Sequence, residues 1–163
     1  VITCDYYNHA MRPATMRSIA EGNASRLRQM LEGAQPVFCF SGMSGTAHAY
    51  ALAYAYGGDD FGMMYVRKDG ESRNSCRSVE FHIPDKGDAR RRVLVFVDDL
   101  ISSGTTLDRT ISGALRTMRL ERGDFERTVY FKALGGSSNA ICHEPRVARC
   151  DLTRHLESQH EPI

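Results

Sequence analysis

Residues 93–97 read Val-Leu-Val-Phe-Val, and two carboxylates, Asp98 and Asp99, follow at once. A continuous run of β-branched and aromatic residues, with no polar residue at alternate positions, belongs to a strand covered on both faces. A sheet with one wet face is therefore excluded as the home of this strand. Leu100-Ile101-Ser102-Ser103-Gly104 then leads into a helix expected from about Thr105 to Leu120. Leu107, Ile111, Leu115 and Met118 share one face of it, and Gly123 closes it. A doubly buried strand running into a helix marks a parallel sheet with crossover helices.

The rest of the chain keeps this alternation. Residues 14–33 read as helical, with Met16, Ile19, Leu27 and Leu31 at near-helical spacings. Gly22-Asn23 is a point where that stretch can split in two, and Gly33 is its C-cap. Residues 36–40 are a short apolar run suited to a buried strand, and residues 41–46 (SGMSGT) a small, flexible loop. A helix is expected over 47–56, because Ala is the best helix former, and Gly57-Gly58 stops it. The Tyr50, Tyr54, Tyr56 set on it reads as packing. Residues 61–66 are a second buried strand, and 67–76 (RKDGESRNSC) a polar loop. Residues 79–83 alternate like a strand that Pro84 ends; His82 within it reads as an ordinary polar residue. Arg90-Arg91-Arg92 reads as a solvated face before the central strand, and residues 128–134 as the last clear strand. The tail beyond is weakly periodic and yields no element.

This order defines an α/β protein: a mostly parallel central sheet flanked by helices on both faces. Ligands of such sheets sit at the carboxyl ends of the strands. The loops at 41–46, 67–76 and 98–106 fall there.

Length and charge set the remaining bounds. A chain of 163 residues is one domain, and burying about 68–70% of its unfolded surface gives it a core without staples. Lys and Arg total 21 against 20 Asp and Glu, so the formal net charge is +1, which speaks against a general nucleic-acid binder. No apolar run reaches the ~20 residues that span a bilayer. The opening Val1-Ile2-Thr3-Cys4-Asp5 does not read as a signal peptide. The five cysteines, Cys4, Cys39, Cys76, Cys142 and Cys150, are scattered with no CxxC, so reduced thiols and a cytoplasmic location are expected. Cys142, His143, Cys150, His155 and His160 match no common zinc spacing and read as ordinary residues.

The chemistry concentrates after the central strand. Free N–H groups and the positive dipole end of a helix attract an anion. Ser102, Ser103, Thr105 and Thr106 add hydroxyl donors, and Gly104 permits close backbone approach. Such a loop suits a phosphate. Asp98 and Asp99 are poor phosphate ligands, but they accept hydrogen bonds from sugar hydroxyls and hold hydrated Mg²⁺. A phosphate beside a diol or a metal describes a phosphorylated ribose.

The stretch VLVFVDDLISSGTT, residues 93–106, resembles the PRPP-binding motif of the type I phosphoribosyltransferases. The resemblance extends to residues 41–46, at the place of that family's pyrophosphate loop. It also extends to Arg67-Lys68, at the place of an Arg-Lys pair leading into a flexible active-site loop. It covers a core of about residues 36–135, leaving 1–35 and 136–163 as candidate segments of a base-binding hood. It implies that Asp98 and Asp99 hold the ribose hydroxyls and contribute to Mg²⁺ binding, and that Ser102, Ser103, Gly104, Thr105 and Thr106 cradle the 5′-phosphate. Gly42, Met43, Ser44, Gly45 and Arg73 would bind pyrophosphate, with a cis peptide at Gly42–Met43. Arg67 and Lys68 would act with Asp98 and Asp99 in catalysis, Arg73 and Arg77 adding positive charge. It also implies a homodimer. DDLISSGT looks closest to the orotate branch, yet residues 1–35 lack that branch's base-binding signature. Ser102 stands where 6-oxopurine enzymes carry an aspartate. The base is thus open; Tyr6, Tyr7 and His9 are candidates to stack on it, or surface or dimer contacts.

The expected activity is Mg²⁺-dependent transfer of a 5-phosphoribosyl group from PRPP to a nitrogenous base, with release of pyrophosphate. The alternative is a non-catalytic PRPP- or nucleotide-binding regulator of the same fold, which the uncharged loop at Ser44 favours. An unrelated α/β phosphate binder is the third reading. Neither nucleic acid nor membrane is an expected partner.

Overall fold

A computed structural model describes residues 11–68, 70–71, 78–84, 91–98, 105–118, 127–132 and 141–143. The elements are α1 (Pro13–Leu31), β1 (Gln35–Phe40), α2 (Gly42–Tyr56), β2 (Gly62–Val66), β3 (Val79–His82), β4 (Arg92–Asp98), α3 (Thr105–Met118), β5 (Arg127–Lys132) and β6 (Ile141–His143). The six strands form one sheet in the order β3-β2-β1-β4-β5-β6. The inner four, β2-β1-β4-β5, are parallel. An antiparallel strand closes each edge, β3 against β2 and β6 against β5.

Period-two alternation along the strands explains why both faces are covered. On one face Phe38 and Phe40 of β1 meet Val93, Val95 and Val97 of β4, under Leu27 and Leu31 of α1 and Ala49, Leu52 and Ala53 of α2. On the other, Val37 and Cys39 join Leu94 and Phe96 beneath Ile111 and Ala114 of α3. The chain therefore leaves β1 over one face and β4 over the other.

Several local readings change. Helix α1 runs unbroken through Gly22-Asn23, because the Asn23 side chain donates to the Ile19 carbonyl at 2.7 Å and so stays with the helix. Its left-handed cap begins one residue early, at Glu32 (φ 50°), and continues at Gly33 (φ 79°). Helix α2 starts at Gly42, so most of the expected loop at 41–46 is its first turn; the Thr46 hydroxyl donates to the Gly42 carbonyl at 2.6 Å. Tyr56 packs edge-on against Phe38 and Tyr50 edge-on against Phe40, as expected of packing residues, but Tyr54 is 89% exposed. The residues of α2 buried against the sheet are Ala49, Leu52 and Ala53; Tyr50 and Tyr56 flank them, and Tyr54 faces away. Arg92 is the first residue of β4 rather than part of a solvated run, and its Nε donates to Gln35 Oε1 at 3.1 Å. Strand β6 lies in the tail that gave no signal; three residues are too few for a period.

Two glycines make opposite predictions for one substitution. Gly22 sits inside α1 with nothing within 4 Å of where a Cβ would stand. Gly22→Ala should therefore gain the helix-propensity difference, about 1 kcal/mol, or about 2–4 °C in Tm. A Cβ on Gly113 of α3 would stand 2.6 Å from Val66 Cγ1. Val66 is buried and stiff at χ1. Overpacking costs about 1–3 kcal/mol and outweighs the helical gain, so Gly113→Ala should lower Tm. Thermal melts of the two variants check the pair.

Candidate functional site

Strands β1 and β4 are neighbours, yet the helices that follow them lie on opposite faces. Connections that diverge in this way leave the carboxyl ends of the two strands as the place where a sheet of this kind takes a ligand. Register places Phe40 opposite Val97, so Ser41 and Asp98 leave the sheet side by side. The first turn of α2 rests on this edge. A Cβ on Gly45 would meet the Val97 carbonyl oxygen at 3.4 Å and Asp98 Oδ1 at 4.0 Å. Asp98 is only 9% exposed.

Lys68 reaches the same place from β2, which runs parallel to β1 on its other side. A Cβ on Gly42 would stand 2.7 Å from both Cε and Nζ of Lys68. Gly42 also has φ +67°, in the left-handed region. The ammonium thus lies against Gly42 at the start of α2, the end of a helix whose first N–H groups have no intrahelical acceptor. Lys68 makes no ion pair among the described residues. Two positive centres held together suit an anion. The buried Ser41 hydroxyl, in a residue 3% exposed, has no hydrogen-bond partner among the described residues. An orphaned buried donor of this kind costs free energy unless something fills its bond. Ser41 was not singled out in the sequence, because an isolated serine after a strand carries no signal.

Arg67 points elsewhere. Its guanidinium pairs with Glu80 on β3 at 2.6 Å and lies 5.5 Å from the centre of the Tyr65 ring. The Arg67 N–H donates to the Ser78 carbonyl at 3.0 Å. Glu71 holds the turn beyond: its Oε2 accepts from the Tyr65 hydroxyl at 2.7 Å and from the Lys68 N–H at 3.2 Å. Its own N–H donates to the Lys68 carbonyl at 3.2 Å. Burial, then the hydrogen bond and charge of Glu71, push the Tyr65 hydroxyl up to about 12, so it remains a protonated donor at neutral pH.

Of the residues singled out in the sequence, Gly42, Met43, Ser44, Gly45, Lys68 and Asp98 converge on this edge. Met43 and Ser44 lie in the first turn of α2, and Met43 is exposed. Thr105 and Thr106 open α3, and the Thr106 carbonyl accepts from the Thr110 hydroxyl at 2.8 Å. The expected cis peptide is not found: no peptide bond among the described residues is cis, and Gly42 turns the chain through its positive φ instead. Asp99, Ser102, Ser103, Gly104, Arg73 and Arg77 lie outside the described residues, as do Tyr6, Tyr7 and His9.

Among the described residues no cluster of three His, Cys, Asp or Glu side chains forms a metal cage. One buried carboxylate at a strand end does fit Mg²⁺, which keeps several waters and is held by one or two carboxylates with substrate oxygens. No helix among the described residues is long and apolar enough to cross a membrane. No protein-family model matches the chain, and no curated protein matches it.

Proposed function

We propose that the chain transfers the 5-phosphoribosyl group of PRPP to a nitrogenous base and releases pyrophosphate. The observation that carries this reading is the meeting of Lys68, the Gly42 end of α2 and Asp98 at the point where the sheet's connections diverge. A cation and helix N–H groups suit a pyrophosphate, and an adjacent carboxylate suits the ribose hydroxyls. The motif at residues 93–106 supports the same ligand.

Breaking the bond between anomeric carbon and pyrophosphate builds positive charge on the sugar and negative charge on the leaving group. Cations and oriented amides fixed at the leaving group lower that barrier. Lys68 and the N–H groups of Met43, Ser44 and Gly45 fill that role, while Asp98 and Asp99 orient the ribose. Residues 102–106 hold the 5′-phosphate, Ser102, Ser103, Thr105 and Thr106 through hydroxyls and Gly104 through close backbone approach. Asp98 and Asp99 would hold Mg²⁺, which when bound would supply positive charge to offset that of the leaving group.

The test is pyrophosphate release from PRPP and Mg²⁺ against purines, pyrimidines and nicotinate-like bases. Release with one base is the expected result and names the acceptor. Binding of PRPP without release from any base would favour the regulator, a reading supported by the uncharged loop at Ser44. No binding of PRPP would overturn both.

A further inference from the structure

We propose that Tyr65 and Glu71 are positioning residues that fix Lys68 against Gly42 for the binding of a pyrophosphate group. The role in pyrophosphate binding rests on the function proposed above; the latch itself rests only on geometry. Lysine has four rotatable side-chain bonds, so an ammonium held at one place needs its backbone held first. Here Glu71 holds both polar groups of the Lys68 backbone. Glu71 Oε2 accepts from the Tyr65 hydroxyl and from the Lys68 N–H, and the Glu71 N–H closes the turn on the Lys68 carbonyl. Tyr65 is itself anchored, its ring 5.7 Å from that of Phe40 at the end of β1. The site strand β1 and the cation are therefore coupled through one tyrosine and one glutamate. Arg67 does not share the task, since its guanidinium is engaged with Glu80.

Tyr65→Phe removes the hydroxyl and keeps the ring. The probe is inorganic pyrophosphate with Mg²⁺, measured by calorimetry, alongside hydrogen exchange of the Lys68 amide. Losing a hydrogen bond to a charged group corresponds to roughly a tenfold effect. Tyr65→Phe should weaken pyrophosphate binding by about that factor in the parent chain and have no further effect in a Lys68→Ala background. Exchange at the Lys68 amide should accelerate in Tyr65→Phe and in Glu71→Ala. An equal loss of affinity in both backgrounds would show a general structural role and overturn the proposal. Unchanged exchange at Lys68 would overturn the latch even if the parent binds well. Accelerated exchange in a parent chain that binds no pyrophosphate would keep the latch and sink the functional reading.

Discussion

Asp98→Asn and Asp99→Asn are each expected to abolish pyrophosphate release while the chain stays folded. Asparagine preserves the shape of aspartate but exchanges one acceptor oxygen for a donor and removes the charge. In the proposed function a ribose diol would donate two hydrogen bonds to this site, and bonds to a charged acceptor contribute about 1.5–3 kcal/mol each. PRPP affinity should therefore fall by roughly one to two orders of magnitude per substitution. Circular dichroism establishes that the fold survives, and titration calorimetry measures the affinity. Unchanged PRPP affinity in both variants would remove the ribose from this end of the sheet. For Asp98 the expectation has structural weight, since its carboxylate is nearly buried and lies beside the first turn of α2.

The second large effect is expected at Gly42. Alanine there meets two penalties of different kinds. The left-handed backbone at φ +67° costs a residue with a Cβ about 1–2 kcal/mol. The Cβ would also occupy space within 2.7 Å of Lys68 Cε and Nζ. A lysine side chain can swing aside cheaply, so the clash need not unfold the protein; it would displace the ammonium instead. Gly42→Ala should thus lose pyrophosphate affinity by about as much as Lys68→Ala, roughly tenfold or more, and Gly42→Ala with Lys68→Ala should lose little beyond either alone. If Lys68→Ala leaves both affinity and kcat unchanged, the cation has no part in the reaction.

What was legible in the sequence follows from the strength of its periodic signals. Residues 93–97 and 36–40 announced buried strands because both of their faces are apolar, and both became central strands. The α/β order then located the carboxyl edge, and Gly42, Lys68 and Asp98 meet there. The start of α2 was hidden because Ser41-Gly42-Met43-Ser44-Gly45-Thr46 has the composition of a loop. A first helical turn needs little intrinsic propensity when tertiary packing supplies the stability. The fates of Arg67 and Lys68 could not be separated in sequence, since adjacent cations look alike. Glu80, thirteen residues away on an antiparallel strand, draws Arg67 aside. Tyr65 and Glu71 were invisible for a related reason: one is a strand residue, the other a loop residue, and only the turn between them creates their contact.

Cys39 carries a chemical consequence of the sheet's construction. It is fully buried at the middle of β1, with β2 and β4 on either side, and burial pushes its thiol well above the usual range. The thiolate is the reactive form, so an alkylating reagent meets almost none of it while the strands stay paired. Modification at this sulfur would register how often the centre of the sheet comes apart. The same strand leads directly into Ser41 and Gly42, so that thiol is a built-in clock for the integrity of the proposed binding edge.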